Sequence, residues 1–117
     1  MLFHSTRGGD NNRTFEEVLM QGLANDGGLF MPNEWPQVDI DHLKTLETFS
    51  DIANYIVPKF TKSSFSDEEV TKLLDSTWHN FSEENLVKIK NLDETNSVLE
   101  LFHGPTAAFK DFGLQLA

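Results

Sequence analysis

Cysteine is absent from all 117 residues, which removes disulfide frameworks, thiolate zinc sites and cysteine nucleophiles together. Basic residues are scarce as well: nine Lys and Arg stand against 19 Asp and Glu, for a net charge of −10. A protein that tracks nucleic-acid phosphates needs a clustered basic face, so nucleic acid is not expected as a partner. The acidic excess is spread along both halves and reads as a solvated, solubilising surface. No apolar run approaches the roughly 20 residues that cross a bilayer. No basic stretch followed by an apolar one opens the chain at Met1, and the expectation is a cytoplasmic protein without membrane contact. His4, His42, His79 and His103 lack the i, i+4 or clustered-carboxylate spacing of zinc ligands, and no metal site is expected.

What is present suffices for one domain with a real core, at 38% hydrophobic residues. Thr14 with Glu17 three residues on forms a capping box, and Phe15, Val18, Leu19 and Leu23 then share an apolar helical face. Asn25-Asp26-Gly27-Gly28 reads as a turn and no more, followed by a brief strand or buried loop at Leu29–Met31 that Pro32 closes. Ile40 to Leu46 fits one or two helical turns. Ser50 is the expected cap of "SDIANYIVPKF", which Pro58 should bend or stop. Ser66 and Glu69 form a second capping box, and Val70, Leu73, Leu74, Thr77, Trp78 and Phe81 predict one helix from Asp67 to Phe81. "LVKIKNL" alternates as a strand with one wet face, and Ser97–Phe102 reads as a second strand after a polar turn at Asp93 to Asn96.

The segment "LELFHGPTAAFKDFG", residues 99–113, carries the chemistry. Strand, Gly-Pro turn and helix N-terminus present a group at the carboxyl edge of an α/β sheet. Thr106 is the expected N-cap, with Lys110 about one turn in. Gly104 and Pro105 shape the turn, Asp111 complements the positive helix end, and His103 does structural or substrate-side work. Aromatic and alanine neighbours would keep water from Lys110 and favour the uncharged amine that attacks an aldehyde. A helical lysine also snorkels to solvent, and the residues alone leave both readings open. A Walker A loop is set aside, because Phe109 and Asp111 stand where it needs Gly and Ser or Thr.

The same segment closely resembles the lysine-bearing stretch of the threonine synthase family, pyridoxal-phosphate enzymes of the tryptophan-synthase-β fold type. "QGLANDGGLFMP" and "FHSTRG", residues 3–8, resemble further segments of that family, in the same order. The resemblance implies an α/β, fold-type II enzyme, a carbon-oxygen lyase acting on phosphates. Its reaction converts O-phospho-L-homoserine and water to L-threonine and phosphate, in the pathway of threonine biosynthesis. Lys110 would be the catalytic, Schiff-base lysine and Phe109 a cofactor-binding neighbour bordering the ring, with simple core packing as the alternative for Phe109. Ser5, Thr6 and Arg7 are given a structural role ahead of a phosphate-binding one. Ala107-Ala108, where relatives often carry one bulkier apolar residue, is a small departure.

On this reading residues 1–96 form a mainly helical N-terminal region with a few short strands, and residues 97–117 begin the cofactor-binding α/β domain. The family's Gly-, Ser- and Thr-rich phosphate loop is not found in residues 1–117. The chain is therefore expected to be an N-terminal portion that works with the remainder of the same chain and is inactive alone. Two alternatives are a non-catalytic acidic interaction or assembly domain derived from the family, and a related pyridoxal-phosphate lyase acting on another amino acid.

Overall fold

A computed structural model describes all 117 residues. Strands β1 (Phe3–Ser5) and β2 (Phe30–Pro32) pair antiparallel, Phe3 opposite Pro32, with helix α1 (Phe15–Gln21) between them in sequence. The Thr14 hydroxyl accepts from Glu17 N at 3.3 Å while the Glu17 carboxylate accepts from Thr14 N at 2.8 Å, so the expected capping box is present. Two further N-terminal amides of α1, those of Phe15 and Glu16, donate to the Ser63 and Ser64 hydroxyls. The chain after the next long helix thus completes the cap of this one.

Helix α2 (Ile40–Leu43) is one turn capped by Asp39. Helix α3 (Phe49–Thr61) starts at Thr48, two residues before the expected Ser50. Only Thr48 has a carboxylate three residues on: Asp51 returns the hydrogen bond to Thr48 N at 3.1 Å, whereas Ala53 stands in the equivalent place after Ser50. Pro58 does not stop α3 either. It removes one donor, yet the helix runs a further turn to Thr61, with Pro58 and Thr61 buried against the body.

Helix α4 (Asp67–Asp75) carries the second expected capping box, Ser66 with Glu69. It stops six residues short of the expected Phe81. The Ser76 and Thr77 hydroxyls both donate to Leu73 O, at 2.8 and 2.7 Å, drawing the last carbonyls out of the ladder. Trp78 then takes a left-handed conformation, φ 63°. Ala53, Val70, Leu74 and Trp78 form the buried cluster between α3 and α4, with Phe49, Phe65 and Phe81 packed around it. Phe15 meets Phe3 on one side and Phe65 on the other, with ring centroids 6.1 and 6.2 Å apart, which fastens the β1–β2 pair to the helices.

Strands β3 (Lys88–Asn91) and β4 (Ser97–Glu100) form an antiparallel hairpin, Lys88 opposite Glu100 and Asn91 opposite Ser97. The first is shorter than expected because Leu86 is left-handed, φ 62°. The alternation is real but both faces of β3 are exposed, since no layer in this chain covers either one. Asp93 organises the turn, accepting from the amides of Thr95 and Asn96, each at 2.9 Å. Helix α5 (Asp111–Leu114) follows. Five helices and four short strands result, and no helix is long and apolar enough to cross a membrane.

Two outcomes follow from this packing. Leu74, 2% exposed at the centre of the cluster, should cost about 2–5 kcal/mol on truncation to Ala, read from urea denaturation. The Asp93 carboxyl is drawn from 3.8 down to about 2, first by the Asn96 side chain and then by the Thr95 amide. Its contribution to the hairpin is full above the unfolded value and is lost as pH falls through about 2. A carboxyl carbon titration by NMR should show that low midpoint; a midpoint at the ordinary value would mean the turn is open.

Candidate functional site

The loop between β4 and α5 is built differently from the helix the sequence suggests. Thr106 does not cap a helix: its hydroxyl donates to Asp111 Oδ1 at 2.7 Å and its amide to Asp111 Oδ2 at 2.9 Å. Ala107 is left-handed, φ 55°, and its amide closes a turn onto Gly104 O at 3.0 Å. A capping threonine and a threonine held by a carboxylate five residues on use the same two groups, which is why the sequence does not separate them. The turn expected at Gly104-Pro105 is present, and Gly104 is required there: a Cβ would fall 2.5 Å from the Asp111 Cβ.

Asp111 does lie in the first turn of α5, as its expected helix-end role requires, but it is also 1% exposed. Burial alone would raise its carboxyl. The Thr106 hydroxyl and amide, with a smaller contribution from the Ala108 backbone, outweigh burial and hold it below the usual value.

Lys110 sits at the N-cap position of α5, is exposed, and makes no side-chain hydrogen bond or ion pair. Phe109 beside it is 67% exposed. The expected exclusion of water by aromatic and alanine neighbours is therefore not made by these residues: with the helix starting at Asp111, both side chains stand on the loop. The loop is anchored at two further points. Trp78 Nε1 donates to Phe112 O at 3.0 Å, and the Ser82 amide and hydroxyl donate to His103 O at 2.9 and 3.1 Å. His103 itself pairs with Glu100, Nε2 to Oε2, at 2.9 Å, and its ring lies against Phe102.

The N-terminal residues form a separate polar cluster. Ser5, 1% exposed, donates its hydroxyl to Asp26 Oδ1 at 2.6 Å, and the amides of Gly28 and Gly9 donate to the same carboxylate. The Ser5 bond, the Gly28 and Gly9 amides and the Arg7 charge together draw the Asp26 carboxyl below its usual value. Thr6 exchanges hydrogen bonds with Leu29, and Arg7 donates to Asp26 O. These contacts give Ser5, Thr6 and Arg7 the structural role expected of them. Asp26 is more than a turn residue. Its signal was legible as an Asp two residues before a glycine, the spacing of an Asx turn, but its long-range partner Ser5 was not.

A groove of about 370 Å³ opens between the helices, lined among others by Phe15, Leu19, Val57, Val70 and Leu116. It is apolar and excludes Lys110, so it offers nothing to an anionic ligand.

The comparisons with known proteins agree with one another. The family profile described as threonine synthase N terminus matches residues 2–78. A threonine synthase of Schizosaccharomyces pombe is 43% identical over 114 residues, covering 95% of this chain and 22% of that protein. Threonine synthase-like 2 of Xenopus laevis is 37% identical over 119 residues, covering 97% of this chain and 24% of that protein. The crystal structure of PLP-bound threonine synthase from Brucella melitensis superposes with a TM-score of 0.90 at 33% identity, over 99% of this chain and 25% of that one. The chain thus spans about a quarter of the length of the relatives it matches. With residues 2–78 matched to the family's N-terminal region and 99% of its length superposing on a solved member, the chain belongs to the threonine synthase family.

Proposed function

We propose that Lys110 is the lysine that carries pyridoxal phosphate in the full-length protein, and that the protein converts O-phospho-L-homoserine and water to L-threonine and phosphate. The observation that supports this is the segment "LELFHGPTAAFKDFG", which resembles the family's lysine-bearing stretch in a chain of this family, with Lys110 exposed at the start of α5 on a loop held by Asp111 and Trp78.

The fit of the cofactor to these residues is partial. Lys110 supplies the amine that the aldehyde end takes, and the exposed Phe109 ring stands beside it. The phosphate end finds no ready place, because α1, α3 and α4 each carry carboxylates in the first turn, which repel an anion there. The reading therefore assigns the phosphate to residues outside 1–117. When bound, the cofactor serves as an electron sink for the substrate's reacting carbons. Lys110 would hold the cofactor's aldehyde end through its amine, and the same amine would move protons to and from the substrate's reacting carbons. On the same reading residues 1–96 are an N-terminal region, and residues 97–117 begin the α/β cofactor domain of a fold-type II enzyme.

A second reading is a related pyridoxal-phosphate lyase acting on another amino acid, since proteins named threonine synthase-like 2 match the chain alongside threonine synthases. Threonine formed in step with phosphate from O-phospho-L-homoserine supports the first reading, and turnover of a different amino acid with none of O-phospho-L-homoserine the second.

The lysine assignment is tested by incubating the full-length protein with pyridoxal phosphate, reducing with borohydride and mapping the labelled peptide. The label is expected on Lys110. Lys110→Ala should remove it and lower turnover by about 10²–10⁴-fold or more, while stability stays within about 0.5 kcal/mol, as for other exposed positions without partners. Label on Lys88 or Lys90 instead would refute the assignment.

A further inference from the structure

We propose that Asp111 is the positioning residue of the Lys110 site, its buried carboxylate clasping Thr106 so that the loop holds the point from which the lysine side chain departs. The inference rests on the reading of Lys110 given above and adds a residue that touches neither cofactor nor substrate.

The contrast within two neighbours motivates it. Lys110 is exposed and holds nothing, whereas Asp111 is buried and fully engaged. A carboxylate that served only the positive end of a four-residue helix would do so from the surface, where it keeps its hydration. This one is withdrawn from water without any cationic partner, and its two oxygens are each matched to a donor of one residue, Thr106. Such a buried polar pair is costly to break, because either partner alone leaves an unsatisfied group.

The surroundings are shaped to this clasp. Gly104 leaves the space that the carboxylate occupies, and a side chain there would meet both its Cβ and, 2.8 Å away, its Cγ. Ala107 accepts a left-handed backbone, uncommon for a residue with a Cβ, so that Thr106 can face back toward Asp111. From the other side the Trp78 indole holds Phe112 O. Lys110 lies between these two fixed points, and nothing holds its own side chain. The backbone therefore sets the Cα–Cβ direction from which its flexible stem starts, and Asp111 helps to hold that backbone. An amine that bonds to a carbonyl carbon must approach along a narrow path, and displacements near 1 Å are enough to slow such steps.

The test uses the full-length protein and its Thr106→Val, Thr106→Ser and Asp111→Asn variants. Each is exposed to pyridoxal phosphate for timed intervals, reduced with borohydride, and the label on the Lys110 peptide quantified, with thermal unfolding measured in parallel. Thr106 is exposed, so its valine variant should fold even if Asp111→Asn does not. Thr106→Val and any folded Asp111→Asn should label Lys110 about 100-fold more slowly, and Thr106→Ser, which keeps the hydroxyl, within about threefold of the unaltered protein. A clasp that merely stabilised the fold would lower the unfolding midpoint and leave the labelling rate of the folded protein unchanged. That result, with label still on Lys110, would overturn the positioning role alone. Label on a different lysine in the unaltered protein would overturn the lysine reading and the clasp together.

Discussion

The hydrogen bond from the Trp78 indole to Phe112 O is the tie on which the arrangement of this chain depends. It joins the helical body to the Lys110 loop, two parts otherwise far apart in sequence. Trp78 reaches that carbonyl only because α4 ends early and the backbone turns left-handed beneath it. A left-handed conformation costs roughly 1–2 kcal/mol in a residue with a Cβ. Burying an indole of about 150–250 Å² at about 25 cal/mol per Å² outweighs that cost, even if the figure is an upper bound. Phe49 and Phe112 stack on the same centre, with the Phe49 ring 5.1 Å from the indole and 5.3 Å from Phe112. A directed polar bond inside an aromatic cluster thus holds the site loop to the body, beside the two bonds from Ser82 to His103 O.

Local signals were legible in the sequence and long-range ones were not. The boxes at Thr14 and Ser66 depend on residues three apart, so the expected helix starts are the observed ones. At α3 the expected cap, Ser50, has no carboxylate three residues on, and the Thr48–Asp51 box decides against it. Of the stripe from Val70 to Phe81, Val70, Leu74 and Trp78 are buried and Thr77 and Phe81 half-buried, while Leu73 is exposed. The stripe gave the wrong backbone, because hydroxyls at Ser76 and Thr77 compete for Leu73 O just where the stripe continues. Hydrophobic spacing reports which side chains face inward. It does not report which backbone brings them there.

The candidate site shows the same division. That Lys110 stands alone was visible from composition, and its segment was distinctive enough to suggest the family. Its geometry was not visible. The Thr106–Asp111 pair mimics a helix cap in sequence, and the buried state of Asp111 depends on Gly104 and Ala107 adopting a particular loop. Asp26 is parallel: a turn aspartate by spacing, a hub by virtue of Ser5, 21 residues earlier. In both places a carboxylate satisfied by hydroxyl and amide donors, and not by a cation, fixes a loop. That choice suits a chain with so few basic residues, where ion pairs are limited in number and hydroxyls are plentiful.

The distribution of apolar exposure bears on the chemistry proposed for Lys110. Ile89, Leu92, Leu99, Phe102, Phe109 and Leu114 are all more than half exposed, and they lie on the hairpin, the loop and α5, on either side of the lysine in sequence. The body between Phe3 and Phe81 holds the buried hydrophobic cluster and most of the aromatic contacts. A lysine that must present an uncharged amine requires a dry setting, and exposed phenylalanines provide the surface of one without enclosing it. The placement of the lysine backbone is thus a local property, set by Asp111, Thr106 and Trp78. The dryness of the amine is not, since no residue in this chain covers Phe109. Placement and desolvation, the two requirements of the proposed role, are supplied separately: the first from within these residues, and the second, on the reading given above, from the remainder of the protein that carries them.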